Sequence, residues 1–447
     1  MSHSTALDVS HLIDTNPLSR FQILVIVLCG IVAMLDGFDT QSIAYVAPAI
    51  AAEWGLAPAS FGPVFGAGLL GLTVGAVIFG PMADRIGRRK VIVMSTVLFA
   101  VFALLTVTAS SLDELLALRF LTGIGLGGAM PNLIALTSEY SPKRLRATMV
   151  TVMFAGFPLG SMLGGFVSAY MIPIWGWRSV FFLGGVLPLL AWPVLLLWLP
   201  ESIRFLAAKG NQTDSVRGIV RRLVPGGAFA EHATFYLPET RHSGFAVGHL
   251  FNVGRWRMTL LIWVTFFMNL LVMYFLVNWL PSLLKEAGLP LNTAILGTAL
   301  LNAGGVIGSV IIARAVDRFN PFTVLAVAYT GAAVFVELSA MQGLPASLLL
   351  AAVFFAGFGI VGAQLGVNAV VADLYPTAIR STGIGWALGV GRIGSILGPV
   401  AGGMLLAVGW EGHSIVMIAA LPALVAAVAV TLLGRTRQPR GALNPQS

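Results

Sequence analysis

Residues 21–46 read FQILVIVLCGIVAMLDGFDTQSIAYV, and Asp36 and Asp39 are the only charged residues in the stretch. The ~30 Å hydrocarbon core of a bilayer takes about 20 mostly apolar residues in a helix, so the stretch reads as a membrane span. A charge at bilayer centre costs at least ~2.5–3.5 kcal/mol on insertion scales, so acids inside a span point to function. At spacing i, i+3 the two carboxylates share one helix face. A pair of acids held at this cost implies that protons or cations move through the protein.

The rest of the chain repeats the apolar pattern. It has 447 residues, 57% hydrophobic and 10% charged, with a mean hydropathy of +0.90. Soluble domains carry about 25% charged residues, so this composition excludes an ordinary soluble protein. Windows long enough to span lie near 21–46, 59–82, 91–110, 114–137, 147–171, 179–199, 257–281, 293–315, 321–341, 347–372, 381–407 and 414–434. The expectation is an all-α membrane protein of twelve transmembrane helices in two parallel-repeat six-helix halves. Residues 1–20 form a tail, 21–200 the first half, 201–256 a polar linker rich in Arg, Gly and Pro, 257–434 the second half, and 435–447 a second tail. The tail 1–20 lacks an apolar core and a small-residue cleavage site, so the first span is expected to target the chain itself. Cys29 is the single cysteine, which leaves no disulfide or thiolate metal framework, and it reads as a small packing residue. The formal charge of +8 is assigned to basic loops beside the membrane rather than to nucleic-acid binding.

Lysine and arginine set the orientation. Of 26 such residues, Arg119 and Arg392 lie inside spans. Only Arg178 and Lys285 fall in loops on one side, and the remaining 22 lie on the side of the two termini. Positive loops stay inside, so both termini are expected in the cytoplasm. The halves also repeat. Glu139-Tyr-Ser-Pro-Lys-Arg-Leu-Arg146-Ala-Thr148 aligns with Asp373-Leu-Tyr-Pro-Thr-Ala-Ile-Arg380-Ser-Thr382, and Asp84-Arg85 aligns with Asp317-Arg318. Gly123, Gly125 and Gly128 map onto Gly357, Gly359 and Gly362 at the same offset. Parallel repeats of this kind are one transporter plan, with the substrate site between the halves near the midplane.

Gly80-Pro-Met-Ala-Asp84-Arg85-Ile-Gly87-Arg88-Arg89-Lys90 carries the G-x-x-x-D-R-x-G-R-R signature and resembles the major facilitator superfamily. Gly80 is read as a site of close helix approach, and Asp84 with the arginines as a charge network latching one state of the cycle. The second copy, Asp317-Arg318-Phe-Asn-Pro, lacks the glycines and second basic pair, so the latches are expected to be unequal. Glu139 is expected to pair with the loop arginines. Glu201, in Leu-Pro-Glu201-Ser-Ile-Arg204, is expected to clamp the same loop. Arg119, in R-x-x-x-G-x-G, either serves the transport cycle or snorkels to the outer interface. Gly156-x-x-x-Gly160-Ser161 and Gly394-x-x-x-Gly398-Pro399 are read as helix-packing faces. Ser161 stands where drug antiporters carry proline, which counts against antiport.

Arg392, mid-span, is the favoured anchor for a substrate carboxylate, since a guanidinium binds carboxylate bidentately. The other reading is a structural charge that neutralises an intramembrane acid. Asn278 and Tyr274 suggest a polar cavity wall, with Trp279 in the interfacial aromatic belt. Asn302, Gln364, Asn368 and Trp386 offer further polar or aromatic handles. No histidine lies in a span, so proton coupling rests on carboxylates, foremost Asp36 and Asp39. Two acids a turn apart are expected to titrate as a coupled unit.

Over its whole length the chain resembles the aromatic acid:proton symporters of the superfamily, through Leu35 to Thr40, Gly80 to Lys90, Arg119 to Pro131, Ser138-Glu139-Tyr140, Pro200-Glu201-Ser202 and the Arg380/Arg392 pair. That resemblance implies uptake of a benzoate-type anion with protons by a monomer that needs no cofactor and no metal. It also implies that Asp36, Asp39, Asp84, Arg380 and Arg392 matter for transport. A drug antiporter or sugar carrier of the same superfamily is the rival; a channel or receptor would not need the duplicated loops.

Overall fold

The structure, a computed structural model, describes residues 6–208, 213–224, 234–236, 248–251, 255–375 and 379–436. Each of the twelve windows falls on one helix of membrane-spanning length. These are α1 (Arg20–Trp54), α2 (Pro58–Ile86), α3 (Arg88–Thr106), α4 (Leu112–Tyr140), α5 (Arg146–Trp175) and α6 (Arg178–Trp198). The second set is α7 (Trp256–Glu286), α8 (Leu291–Arg318), α9 (Pro321–Ala340), α10 (Ala346–Leu374), α11 (Arg380–Ala407) and α12 (Gly412–Arg435). Short helices at Val9–Thr15, Ile203–Ala208, Thr213–Leu223 and Gly248–Phe251 lie outside the spans. One feature departs from an all-helical chain: strand β1 (Ala6–Asp8) pairs in parallel with β2 (Thr234–Tyr236). Most of the 201–256 linker lies outside the described residues.

Local chemistry fixes several helix ends. The Ser111 hydroxyl accepts from the Glu114 N–H at 3.3 Å, opening α4 with Asp113 and Glu114 in its first turn, where acids favour the helix dipole. Asn320 accepts from the N–H groups of Phe322 and Thr323 and is followed by Pro321, opening α9; proline at a first helical position loses no bond. Gly87, at φ 104°, makes the tight reversal from α2 to α3 in a conformation that side chains resist.

By internal contacts the chain forms two compact units: Met1–Ser42, Ala67–Val167 and Met171–Arg241 make the first, and Ile43–Gly66, Ser168–Tyr170 and His242–Ser447 the second. Lipid tails are as apolar as leucine, so helices in a bilayer associate through close van der Waals packing, which small residues permit. In the first unit α2 and α4 meet backbone to backbone. A Cβ added at Gly71, Gly75, Gly123 or Gly127 would run into the carbonyl oxygen of Phe120, Ile124, Gly68 or Leu72 respectively. In the second unit α8 and α10 do the same, with Gly304, Gly308 and Gly357 against the carbonyls of Phe354, Phe358 and Leu301. Gly71, Gly75 and Gly123 lie 233 or 234 positions before Gly304, Gly308 and Gly357, while Val361 stands at the position matching Gly127. The sequence repeat is therefore a repeat of contacts. A second pair of seams matches likewise: Gly160 of α5 sits against Met34 of α1, and Gly394 of α11 against Phe267 of α7. Ser161, where antiporters carry proline, donates to the Gly37 carbonyl at 2.9 Å and so ties α5 to α1.

Two expectations are corrected here. Nothing lies within 4 Å of a Cβ built on Gly80, so it is not a site of close approach; that role in the motif belongs to Gly87, where a Cβ would collide with the Glu201 carboxylate. Trp279 is fully buried rather than in an aromatic belt. Its Nε1 donates to the Pro399 carbonyl at 2.8 Å, and its ring meets Phe65 edge-on at 5.2 Å. Burial of an aromatic with its polar atom satisfied outweighs the interfacial preference.

Gly127→Ala is expected to destabilise the purified protein by about 1–3 kcal/mol through overpacking. Gly80→Ala should be neutral or raise stability by up to ~1 kcal/mol, since alanine is the better helix former. Thermal unfolding in detergent compares the two.

Candidate functional site

Asp39 lies in the middle of α1, ~22 Å from its Trp54 end at 1.5 Å rise per residue. Its side chain is only 1% exposed. One oxygen, Oδ2, faces Arg119 Nη1 of α4 at 3.5 Å. Arg119 is buried as well, and its Nη2 donates to Thr106 Oγ1 at 2.6 Å and Thr122 Oγ1 at 3.0 Å. The guanidinium lies over the Phe181 ring of α6 at 4.5 Å, a cation–π contact that strengthens where water is excluded. Two buried polar atoms of this pair have no hydrogen-bond partner, Asp39 Oδ1 and Arg119 Nε. Oδ1 is thus a carboxylate oxygen kept dry and unpaired beside an ion pair, a position able to hold a proton. Gly184 of α6 adjoins it, and a Cβ there would stand 3.5 Å from that oxygen.

Arg119 therefore does not snorkel; the structure brings it to the acid pair. It also shows that Arg392 is not the only basic group set deep in a span. Asp36, also buried, accepts from Thr40 Oγ1 of its own helix at 3.1 Å. Asp39 thus has a direct charge partner in Arg119. Thr106, Thr122 and Phe181 escaped sequence reasoning. Only the folding of α3, α4 and α6 around one guanidinium reveals them.

Among the second unit's candidates, the amides form a ladder. Asn269 Nδ2 donates to Gln364 Oε1 at 2.5 Å, and Gln364 Nε2 to Asn368 Oδ1 at 3.3 Å. Asn269 Oδ1 is buried without a partner. Asn269 opens the Asn- and Tyr-rich run of α7, two and a half turns before Asn278 on the same helix. Trp386, 38% exposed, stacks on Trp263 with ring centres 5.9 Å apart. Arg392 is half-buried and has no ion pair among the described residues. Asn278 and Asn302 instead bond back to their own helices, at the Tyr274 and Thr298 carbonyls; Tyr274 and both amides are buried. Such local bonds leave those Nδ2 donors engaged.

The 80–90 loop is held by α4 and the segment after α6. Arg88 Nη1 meets Glu139 Oε1 at 2.5 Å, and Ser202 Oγ donates to Glu139 Oε2 at 2.6 Å. Glu201 Oε1 accepts from the backbone N–H of Arg89 at 3.0 Å and of Ser202 at 2.8 Å. The first bond caps α3, where the helix dipole favours an anion. Tyr140 Oη donates to the Glu201 carbonyl at 2.7 Å, and the Arg89 guanidinium donates to the Leu196 carbonyl. The expected pairing of Glu139 with a loop arginine is thus present. Asp84 and Arg85 do not join it: both are exposed, as is Asp317, and none has an ion pair among the described residues. The side chains of Asp373 and Arg380 lie outside the described residues.

Twelve spans, a repeated seam and a latched 80–90 loop together invite comparison with known carriers. Residues 29–344 and 299–447 match the Major Facilitator Superfamily. The chain belongs to that superfamily. It is a multi-pass membrane transporter and not an enzyme. It is 42% identical over 433 residues to the 4-hydroxybenzoate transporter PcaK of Pseudomonas putida, with 96% of each chain covered. It is 43% identical over 435 residues to a gallate transporter of the same species, again with 96% of each covered. Its fold resembles a partially occluded inward-open structure of the E. coli xylose transporter XylE, with TM-score 0.72, 18% identity, and 92% of this chain and 97% of that one covered.

Breaking a buried ion pair from one side leaves an uncompensated charge and costs about 3–5 kcal/mol. Arg119→Leu should therefore destabilise the protein by that order, and Asp39→Asn with Arg119→Leu should recover a substantial part of the loss. Thermal midpoints of the two single variants and the double variant give the coupling energy; additive losses would mean that the pair is not one energetic unit.

Proposed function

We propose that this chain is a proton-coupled symporter that imports an aromatic carboxylate, such as 4-hydroxybenzoate or protocatechuate, across a bacterial inner membrane. The observation that carries the proton-coupled part is Asp39, buried against Arg119 with Oδ1 unpartnered. The similarity to 4-hydroxybenzoate and gallate transporters along 96% of the chain supports the substrate class. In this reading the protein acts as a monomer, both termini face the cytoplasm, and residues 21–200 and 257–434 are the two halves of an alternating-access cycle.

Ionised Asp39 neutralises Arg119. A proton arriving at Oδ1 cancels that ion pair and leaves a buried guanidinium in want of an anion. Uncompensated charge in a low-dielectric site costs several kcal/mol, so the protonated carrier gains by taking up a substrate carboxylate, which restores charge balance in the protein. Arg392 supplies the direct contact to that carboxylate, bidentate by the geometry of its fork. The Asn269–Gln364–Asn368 ladder supplies donors and acceptors for ring hydroxyls, and Trp386 a face for the ring. Loss of the proton on the cytoplasmic side re-forms the Asp39–Arg119 pair and removes the advantage of holding the anion. The latch of Arg88, Glu139 and Glu201 opens and closes with the cycle.

The charge count makes the energetics testable. One proton with one monoanion is electroneutral and draws ~1.4 kcal/mol per pH unit, about tenfold accumulation. A second proton, on Asp36, would add ~2.3 kcal/mol per 100 mV of potential. With one ionisable acid at the ion pair, the one-proton cycle is expected: an inside-negative potential imposed at zero pH gradient should drive no accumulation into proteoliposomes.

Asp39→Asn is expected to abolish pH-driven accumulation of labelled 4-hydroxybenzoate while retaining exchange against preloaded unlabelled substrate. Full accumulation by this variant would remove Asp39 from the proton path. A panel of benzoate, 4-hydroxybenzoate, protocatechuate, gallate and an aliphatic diacid fixes the substrate class, and transport of the diacid alone would overturn the aromatic assignment.

A further inference from the structure

Beside the last turn of α6, a cavity of about 440 Å³ opens where α6 ends and α3 begins. Apart from Glu201 and Arg89, which belong to the latch, its lining has no part in the transport cycle proposed above. Its lining includes Phe21, Arg89, Lys90, Trp198, Glu201 and Arg222, so three cations and one carboxylate face the same space. The carboxylate is already engaged, since Glu201 Oε1 accepts two backbone N–H groups. Among the described residues neither Lys90 nor Arg222 has a carboxylate partner, and both are exposed.

The placement of Arg222 is built rather than incidental. It is carried by the helix Thr213–Leu223, whose Val216, Val220 and Leu223 are buried at i, i+4, i+7 spacing and pack into the core around α1. That anchorage sets the Arg222 guanidinium 5.7 Å from the Phe21 ring centre, at the start of α1. Basic groups held near a membrane surface attract anionic lipid headgroups. The flank of the cavity is apolar and outward-facing: Leu190, Leu197 and Trp198 of α6 are 67%, 75% and 55% exposed. In a bilayer that face meets acyl chains, and tryptophan at a span's end marks the headgroup level. A site with a basic mouth at headgroup depth and a continuous apolar wall fits a molecule that is anionic at one end and aliphatic at the other.

We propose that this cavity is a binding site for the headgroup of an anionic phospholipid, with its acyl chains lying along α6. The phosphate and its neighbouring hydroxyls meet Lys90 and Arg222, and Trp198 borders the glycerol. The site adjoins the loop that carries Arg88 and Arg89, so an occupied cavity also shields Lys90 and Arg222 from one another.

Native mass spectrometry of the full chain in detergent, titrated with phosphatidylglycerol or with phosphatidylcholine of the same acyl chains, tests this. Each basic group near an anionic lipid is worth about a fivefold gain in binding. Wild-type protein should retain phosphatidylglycerol at least about fivefold better than phosphatidylcholine. Arg222→Gln and Lys90→Gln should each lose about that factor for phosphatidylglycerol alone, and Arg222→Lys should keep it. Equal retention of the two lipids by wild type, or unchanged phosphatidylglycerol retention in both glutamine variants, overturns the proposal. Displacement of the lipid by excess inorganic phosphate would assign the cavity to a free anion and overturn it too.

Discussion

A carboxylate and a guanidinium inside a bilayer are tolerable only together, and the pairing of Asp39 with Arg119 governs much of the first unit's design. The Thr106 and Thr122 hydroxyls accept from Nη2 of the guanidinium, and Phe181 covers its face. Backbone approach makes the arrangement reachable. Gly37 lies between the two acids, and a Cβ there would run into the Phe157 carbonyl of α5. α1 is thereby seated on α5, with the Ser161 hydroxyl bonded to the Gly37 carbonyl. The D-G-F-D segment thus combines a charge and the glycine that lets its helix be held in place. A larger residue at position 37 would shift α1 and with it the carboxylate.

Duplication explains how a chain with so few polar side chains achieves specific packing. In lipid there is no gain from hiding one apolar surface against another, so fit must come from shape. Glycine-to-carbonyl contacts recur in both units at an offset of 233 or 234 positions. What differs between the units is the polar content set within equal frames. One holds an ion pair with an unpartnered oxygen, and the other an amide ladder and a half-buried arginine. That division suits a carrier in which one unit handles the proton and the other the organic anion.

Sequence alone made the spans legible, because hydropathy over twenty residues needs no tertiary information. The repeat was legible because charged and glycine landmarks recur at one spacing. The acids of α1 and the basic loop stood out because charge near hydrocarbon is costly. Partnerships were not legible. Asp39 and Arg119 are eighty positions apart, and which acid meets which arginine depends on helix rotation that no periodicity encodes. Gly80 and Gly87 look alike in the motif; only the positive φ and the nearby Glu201 carboxylate distinguish them. Trp279 at a helix end reads as an interfacial anchor until Phe65 and Pro399 are found around it.

The central claim is that Asp39, through Arg119, carries the proton that travels with the substrate. Proton exchange on binding measures it most directly: 4-hydroxybenzoate is added to detergent-solubilised protein in weakly buffered solution containing a pH indicator. Wild-type protein is expected to take up protons in step with binding, and Asp39→Asn to bind with none taken up. Equal proton uptake by the two proteins would contradict the account.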